Sequence, residues 1–258
     1  SDMQIRPGLL TIEDISLLKS KAKENNFRTL LWDSGSGTGP CYVVNRNHPD
    51  PVKRDLYRNP TFLKALSHAI DRDRVNRMVY YETAEPTTGT LSPKAAEYHT
   101  EKGQELYQEW KNLAVEYDPE TAKELLNEVG MKDTNGDGFR ERPNGDTFKP
   151  TIITTGSDKL KVLEMIRSNF MDIGINVDIK PISRELRVQR YLGNNWTMGA
   201  WHTGRASEIL FPRNPRIVAP VGNIYDCPWG AYHTWYSTGG EEGEEPPAEI
   251  KKLIEKKI

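Results

Sequence analysis

An α/β fold is predicted by three stretches of the 258-residue sequence. Residues 59–80, NPTFLKALSHAIDRDRVNRMVY, read as two consecutive amphipathic helices. Residues 118–130, DPETAKELLNEVG, read as a third helix, punctuated at both ends. Residues 149–182 read as strand, helix and strand, and two strands joined by a helix over so short a span lie parallel with a right-handed crossover.

In the first stretch, the Asn59 side-chain oxygen suits an N-cap, and Pro60 sits at the first helical position, where a missing N–H costs nothing. Phe62, Leu66, Ala69 and Ile70 recur at helical spacing and form one apolar face. Asp71 breaks that face and reads as the N-cap of the second helix, with Val75, Met78 and Val79 inward. Before it, residues 9–25 form an amphipathic pattern on Leu10, Ile12, Ile15, Leu17 and Leu18, and residues 41–45 (CYVVN) read as a strand. Between them SGSGTG, residues 34–39, lacks the Lys-Ser/Thr ending of a phosphate loop and any helix signal after it, so it reads as a turn.

Residues 82–117 are loop-rich, punctuated by Pro86, Gly89 and Pro93, with a helix over 105–115 that presents Leu106, Tyr107, Trp110, Leu113 and Ala114. In 118–130, Asp118 caps, Pro119 opens, Gly130 stops, and Ala122, Leu125, Leu126 and Val129 form the buried stripe. The βαβ stretch has a strand over 151–155 and a helix from Ser157 or Asp158 with Leu160, Leu163, Ile166, Phe170 and Ile173 inside. Gly174 stops that helix and a strand follows over 175–179. Ser183 caps a further helix with Leu186, Val188, Tyr191 and Leu192 apolar, ended by Gly193. Residues 194–236 hold Trp196, Trp201, Trp229, Trp235, Phe211, Tyr225, Tyr232 and Tyr236 with no helical period, and Pro and Gly break the segment into loops. Trp196 is expected in the core. Pro246 and Pro247 open a last helix over 248–258.

Composition narrows the function. With 35 Lys+Arg against 37 Asp+Glu the net charge is −2, no electrostatic footprint for nucleic acid. No apolar run approaches the ~20 residues of a membrane span. Ser1-Asp2-Met3 reads as an expression scar, so the chain is expected to be an excised piece of a longer, exported protein. Cys41 and Cys227 are expected as two free thiols, although spacing leaves a disulfide open.

Enzyme chemistry finds no footing. The five histidines, His48, His68, His99, His202 and His233, form no zinc-binding spacing, and no Gly-x-Ser-x-Gly elbow or Cys-x-x-Cys is present. No catalytic residue, metal or cofactor is assigned. The carboxylates leave a glycosidase open without singling out a pair. Residues 133–138, DTNGDG, match the first half of an EF-hand loop, but its twelfth position is Asn144 in place of a bidentate Glu. A tight polar hairpin is the favoured reading, with a weak calcium site on Asp133, Asn135, Asp137 and Glu141 as the alternative.

Three motifs resemble one family. Phe62-x-x-Ala65-Leu66-x-x-Ala69-Ile70-Asp71-Arg72, then Tyr117-Asp118-Pro119-x-x-Ala122-x-x-Leu125-Leu126, then Gly174-Ile175-x-Val177 resemble the family 5 solute-binding proteins of bacterial ABC importers, which bind peptides, nickel chelates and some oligosaccharides. Many members carry Arg where this chain has Lys64. The resemblance implies one lobe of a type II periplasmic-binding-protein-like (Venus flytrap) fold, a mixed sheet flanked by helices. Residues 42–236 would form the second ligand-binding lobe, 1–41 a tag remnant plus helix and strand of the neighbouring lobe, and 237–258 a truncated return segment. It implies a monomer without enzyme activity, at the extracellular face of the cytoplasmic membrane or in the periplasm, as a lipoprotein in some members. Its partners would be a small ligand, the missing first lobe and an ABC permease, and not nucleic acid.

Peptide-binding members carry Trp-x-x-Asp after the strand that precedes the cleft loop, and that carboxylate pairs with the peptide ammonium. The matching residues here are Trp201-His202-Thr203-Gly204, without a carboxylate. Aromatic faces suit the C–H faces of sugar rings. Trp201, His202, Trp229 and Tyr232 are therefore the expected ligand-binding residues, and an oligosaccharide the expected ligand, with an oligopeptide as the alternative.

Overall fold

A computed structural model describes residues 12–30, 37–156, 159–201, 219–221 and 227–255. In chain order it contains α1 (Ile15–Ala22), β1 (Cys41–Val44), α2 (Pro51–Arg58), α3 (Pro60–His68), α4 (Arg72–Val79), α5 (Glu101–Lys111) and α6 (Pro119–Glu128). Then follow β2 (Thr151–Thr154), α7 (Leu160–Asp172), β3 (Asp178–Pro181), α8 (Arg184–Leu192), β4 (Met198–Trp201), α9 (Gly230–Ser237) and α10 (Ala248–Glu255).

The sheet has the order β1-β4-β2-β3. β2 is parallel to both β3 and β4, and β1 closes the edge antiparallel to β4, so the sheet is mixed as expected. Alternation along each strand divides the core. Val44, Ile152, Met198 and Ala200 face the helix pair α3 and α4 together with α6 and α7, where Phe62, Leu66, Val75, Leu126, Leu163, Ile166 and Phe170 are buried. Ile153 with Val43 faces the other way, onto Tyr191 of α8 and Trp196. Trp196 is 4% exposed, a core residue as expected.

The motif helices hold this frame. Asn59 accepts the Thr61 N–H (2.9 Å) at the start of α3, and Asp71 accepts the Arg74 N–H (2.8 Å) at the start of α4. Arg72 then ties distant segments: its guanidinium donates to the carbonyls of Ser67 (2.8 Å), Val115 (3.1 Å) and Thr87 (3.2 Å) and to the Ser67 hydroxyl (2.7 Å). Burial pulls its pKa down to about 10, and the carbonyls keep it solvated in place of water. α6 begins on Asp118, which accepts from the backbone N–H and hydroxyl of Thr121, and it ends at Gly130, whose φ of 81° only glycine adopts without strain. His68, in α3, meets the Glu116 carbonyl through Nδ1 (3.0 Å), the hydrogen-bonded surface role its place suggests.

Several expectations need correction. Met78 is 67% exposed, because α4 meets the core only along Val75 and Val79, one turn apart. α5 starts earlier than 105, capped by the Thr100 hydroxyl on the Gly103 N–H, and its Tyr107 is buried while Leu106 and Leu113 are exposed. Ile175 and Val177 are buried but precede β3, whose ladder begins only at Asp178. α8 buries Arg187 and Tyr191, and Leu186 and Leu192 lie exposed. α1 buries none of its residues. The segment expected to be loops holds α9, which begins at Gly230 after an uncapped Trp229 and so carries no start signal. Cys41 and Cys227 are not disulfide-bonded, as expected.

Candidate functional site

In open α/β sheets the carboxyl ends of parallel strands present a ligand edge, because the loops leaving those ends diverge to opposite faces. Here that edge is formed by Thr154 of β2, Pro181 of β3 and Trp201 of β4. Trp201 is the last residue of the strand between β1 and β2, half-buried, on the α8 side. Its ring is held in a column. Trp196 and Tyr191 stack with centroids 4.2 Å apart and planes 17° from parallel. The Arg187 guanidinium lies 5.2 Å from the Tyr191 centroid and 4.4 Å from that of Trp201, and the Lys159 ammonium lies 4.7 Å from Trp201.

The sequence builds this column locally. Arg187 and Tyr191 are four residues apart, on one face of α8. Gly199 and Trp201 are two apart, on one face of β4. Gly199 is required there: a Cβ would occupy the position of the Tyr191 hydroxyl. Arg187 is 6% exposed, and burial lowers its pKa while the neighbouring Tyr191 raises it. Desolvated cations over aromatic faces are worth up to ~2 kcal/mol, enough to fix a ring that would otherwise choose among rotamers. Arg187 and Lys159 carried no signal in the sequence as site residues. Only the spacing from Arg187 to Tyr191, read against β4, could have suggested the first.

The other expected residues fall elsewhere. His202 lies outside the described residues. Trp229 and Tyr232 are at the opposite, amino edge of β4. Trp201 pairs with Cys41, whereas the Asn45 N–H reaches the Thr197 carbonyl and the Arg46 N–H reaches the Pro228 carbonyl (both 2.9 Å). From Cys41 to Arg46 is five residues, about 16 Å at ~3.3 Å per residue. There Trp229 and Tyr232 stack on each other (5.7 Å, 10°), with Arg46 4.5 Å from the first ring and Arg58 5.5 Å from the second. Thus Trp229 and Tyr232 come together, but not with Trp201.

The Asp133 loop gathers carboxylate oxygens of Asp133, Asp137 and Glu141 within 4.8 Å of one another. Its own groups already occupy them. Asp133 accepts the N–H groups of Gly136 (2.7 Å) and Gly138 (2.9 Å), and Glu141 accepts from Thr134 and the Asn135 amide. Backbone donors therefore hold Asp133 below the usual carboxylate range. An antiparallel bridge between Glu141 and Thr147 makes the expected hairpin.

A mixed sheet covered by helices, with an aromatic ring clamped at the carboxyl edge of its parallel strands, defines an α/β domain with a candidate ligand edge. The particular family follows from comparison: residues 7–208 match the bacterial extracellular solute-binding proteins, family 5 (middle region), and the chain belongs to that family. It is 33% identical over 216 residues to the periplasmic alpha-galactoside-binding protein of Rhizobium meliloti, covering 80% of this chain and 29% of that one. It is 27% identical over 157 residues to the oligopeptide-binding protein AppA of Bacillus subtilis, covering 59% of this chain and 27% of that one. The structure of the oligopeptide-binding protein OppA superposes with a TM-score of 0.77 at 25% identity, over 95% of this chain and 39% of that one. The chain thus spans about a third of the length of these relatives. Among the described residues, no helix is long and apolar enough to cross a membrane.

Proposed function

We propose that the chain is most of one lobe of the solute-binding component of an ABC importer, and that the whole protein captures an oligosaccharide between two lobes and presents it to the membrane permease. Residues 42–236 contribute the second lobe. The protein acts outside the cytoplasmic membrane and breaks no bond: the ligand favours the closed state by binding it more tightly. The observation that carries the reading is Trp201, clamped at the carboxyl edge with a half-buried indole. A sugar ring stacks on such a face without the charge partner that a peptide terminus demands. Lys159, at the start of α7 on a flexible stem, gives way to the ligand, while buried Arg187 keeps the ring in place. The alpha-galactoside-binding relative supports a sugar; the AppA relative supports the peptide alternative.

The test uses the full-length protein. Calorimetry against gluco-, xylo-, manno- and galacto-oligosaccharides should find a ligand whose affinity Trp201→Ala reduces at least tenfold, with Trp201→Phe retaining part of it. The same sugar should raise the melting temperature of the full-length protein and shift that of the present chain little, since half of a cleft's contacts come from the other lobe. Micromolar binding of a peptide mixture and none of any sugar would decide for the peptide reading.

A further inference from the structure

Residues 45–50 carry the chain from β1 to α2 at the amino edge of the sheet, in a turn tied by side chains. The fully buried Asn45 donates its amide to the Asn194 side-chain oxygen (2.7 Å) and the Trp196 carbonyl (3.0 Å), and its own oxygen accepts the Asn47 N–H (3.1 Å). Asn194 donates back to the Asn47 carbonyl (2.7 Å), and Arg58 Nε donates to the Arg46 carbonyl (2.7 Å). The last link before α2 is a histidine ring. The Asp50 N–H donates to His48 Nδ1 (3.0 Å). A backbone amide only donates, so Nδ1 holds a lone pair there and the proton of the neutral ring sits on Nε2. Asp50 is in turn the N-cap of α2, accepting the N–H groups of Val52 (2.9 Å) and Lys53 (3.3 Å). His48 thus fixes the residue that starts the helix.

Protonation is incompatible with that bond. An imidazolium carries hydrogen on both nitrogens, so Nδ1–H would meet the Asp50 N–H, donor against donor. The surroundings also resist a new cation. The ring is half-buried, with Tyr57 of α2 edge-on to it (centroids 6.0 Å apart, planes at 74°). The charged groups facing it are Lys53 and Asp50 beside α2 and Arg142 of the hairpin. Two of these are cations, and the Asp50 carboxylate is already shared between Arg142 (2.8 Å) and Lys53 (3.8 Å). Burial, and after it Lys53, holds the ring below the ordinary value of 6.5, with the Asp50 carboxylate opposing.

We propose that His48 is a proton-operated clasp on the turn between β1 and α2: the neutral ring holds the Asp50 N–H and with it the start of α2, and protonation releases both. The unfolded chain has no such bond to lose, so it takes up the proton more readily than the folded one. The stability supplied by the clasp is therefore full above the unfolded value of 6.5 and declines as pH falls from there through the folded value. The clasp stands at the sheet edge opposite Trp201, so no ligand enters its test.

Nuclear magnetic resonance on the present chain provides that test, with His48→Gln identifying the ring signals. At neutral pH, His48 should show a bare Nδ1 and a protonated Nε2, and it should titrate below 6.5. The Asp50 amide should shift with the same midpoint, because its acceptor is being lost. Urea denaturation gives an independent reading. The midpoint should fall between about pH 7.5 and about pH 5.5, on either side of the unfolded histidine value. His48→Gln should flatten that fall, since an amide oxygen accepts an N–H but takes no proton in this range. A ring that titrates at or above 6.5, a proton on Nδ1 at neutral pH, an Asp50 amide that does not move with the ring, or the same pH slope in His48→Gln overturns the proposal.

Discussion

Arg187 shows how much a single buried residue can organise. Its aliphatic stem is buried, and its guanidinium bridges Tyr191 and Trp201. Arg187→Met should cost about 1–2 kcal/mol, the range for desolvated cation–π pairs, and shift the emission of the indole it contacts. Arg187→Lys should restore little, because an ammonium lacks the planar face that stacks on two rings. Denaturation monitored by tryptophan fluorescence reads both, and an unchanged emission maximum in Arg187→Met would mean that the column does not set the ring. At this scale the sequence was poorly legible. An arginine amid leucines on a helix is indistinguishable from a solvated one until the strand it faces is known. Trp229 and Tyr232 were grouped with Trp201 because they are aromatic and follow it in the chain, whereas strand register alone decides which edge of the sheet each one meets.

Elements were far more legible, because caps and periods are local. Asn59, Asp71, Asp118 and Ser183 all cap the helices expected of them. The exposed Lys64 and the buried Leu66 lie on the predicted sides of α3. Leu66→Ala should therefore cost ~2–5 kcal/mol, and Lys64→Ala should be almost silent in urea denaturation. Similar losses for both would contradict the helical phase. Asp118 supplies a pH test. Hydrogen bonds from Thr121, first from its backbone N–H and then from its hydroxyl, hold its carboxyl below the ordinary value of 3.8. A folded pKa below the unfolded one stabilises above the unfolded value, and that contribution disappears as pH falls through the folded one. Melting temperature should thus decline on acidification below about pH 4, and Asp118→Asn should flatten that decline; an identical slope would show that the cap does not titrate with folding. Where element reading failed, the helix lacked such signals or was turned by a distant partner, as α9 and α8 were.

For the whole molecule, the three motifs placed the chain in its family because they spell the frame: the helix pair, the capped α6 and the βαβ crossover. They leave the ligand open, since the frame is common to members that bind different solutes, and the residues that would choose among them sit at strand ends and in the loops beyond. Both edges of the sheet carry aromatic rings under cations, Trp201 with Arg187 and Lys159 at one and Trp229 and Tyr232 with Arg46 and Arg58 at the other, and no composition average over the chain tells them apart.

The pairing of Cys41 with Trp201 across β1 and β4 places a built-in reporter at the candidate ligand edge. Burial pushes the Cys41 thiol up to about 11, so at neutral pH it is almost wholly protonated and reacts slowly with alkylating reagents. Cys41 is partly exposed, so its reaction with iodoacetamide reads the thiol's surroundings beside Trp201 directly. Within the present chain, Cys227→Ser leaves Cys41 as the single thiol. In the full-length protein, a ligand seated on Trp201 should slow alkylation of Cys41 in proportion to its occupancy. An unchanged rate at saturating ligand would mean that the ligand does not seat on Trp201.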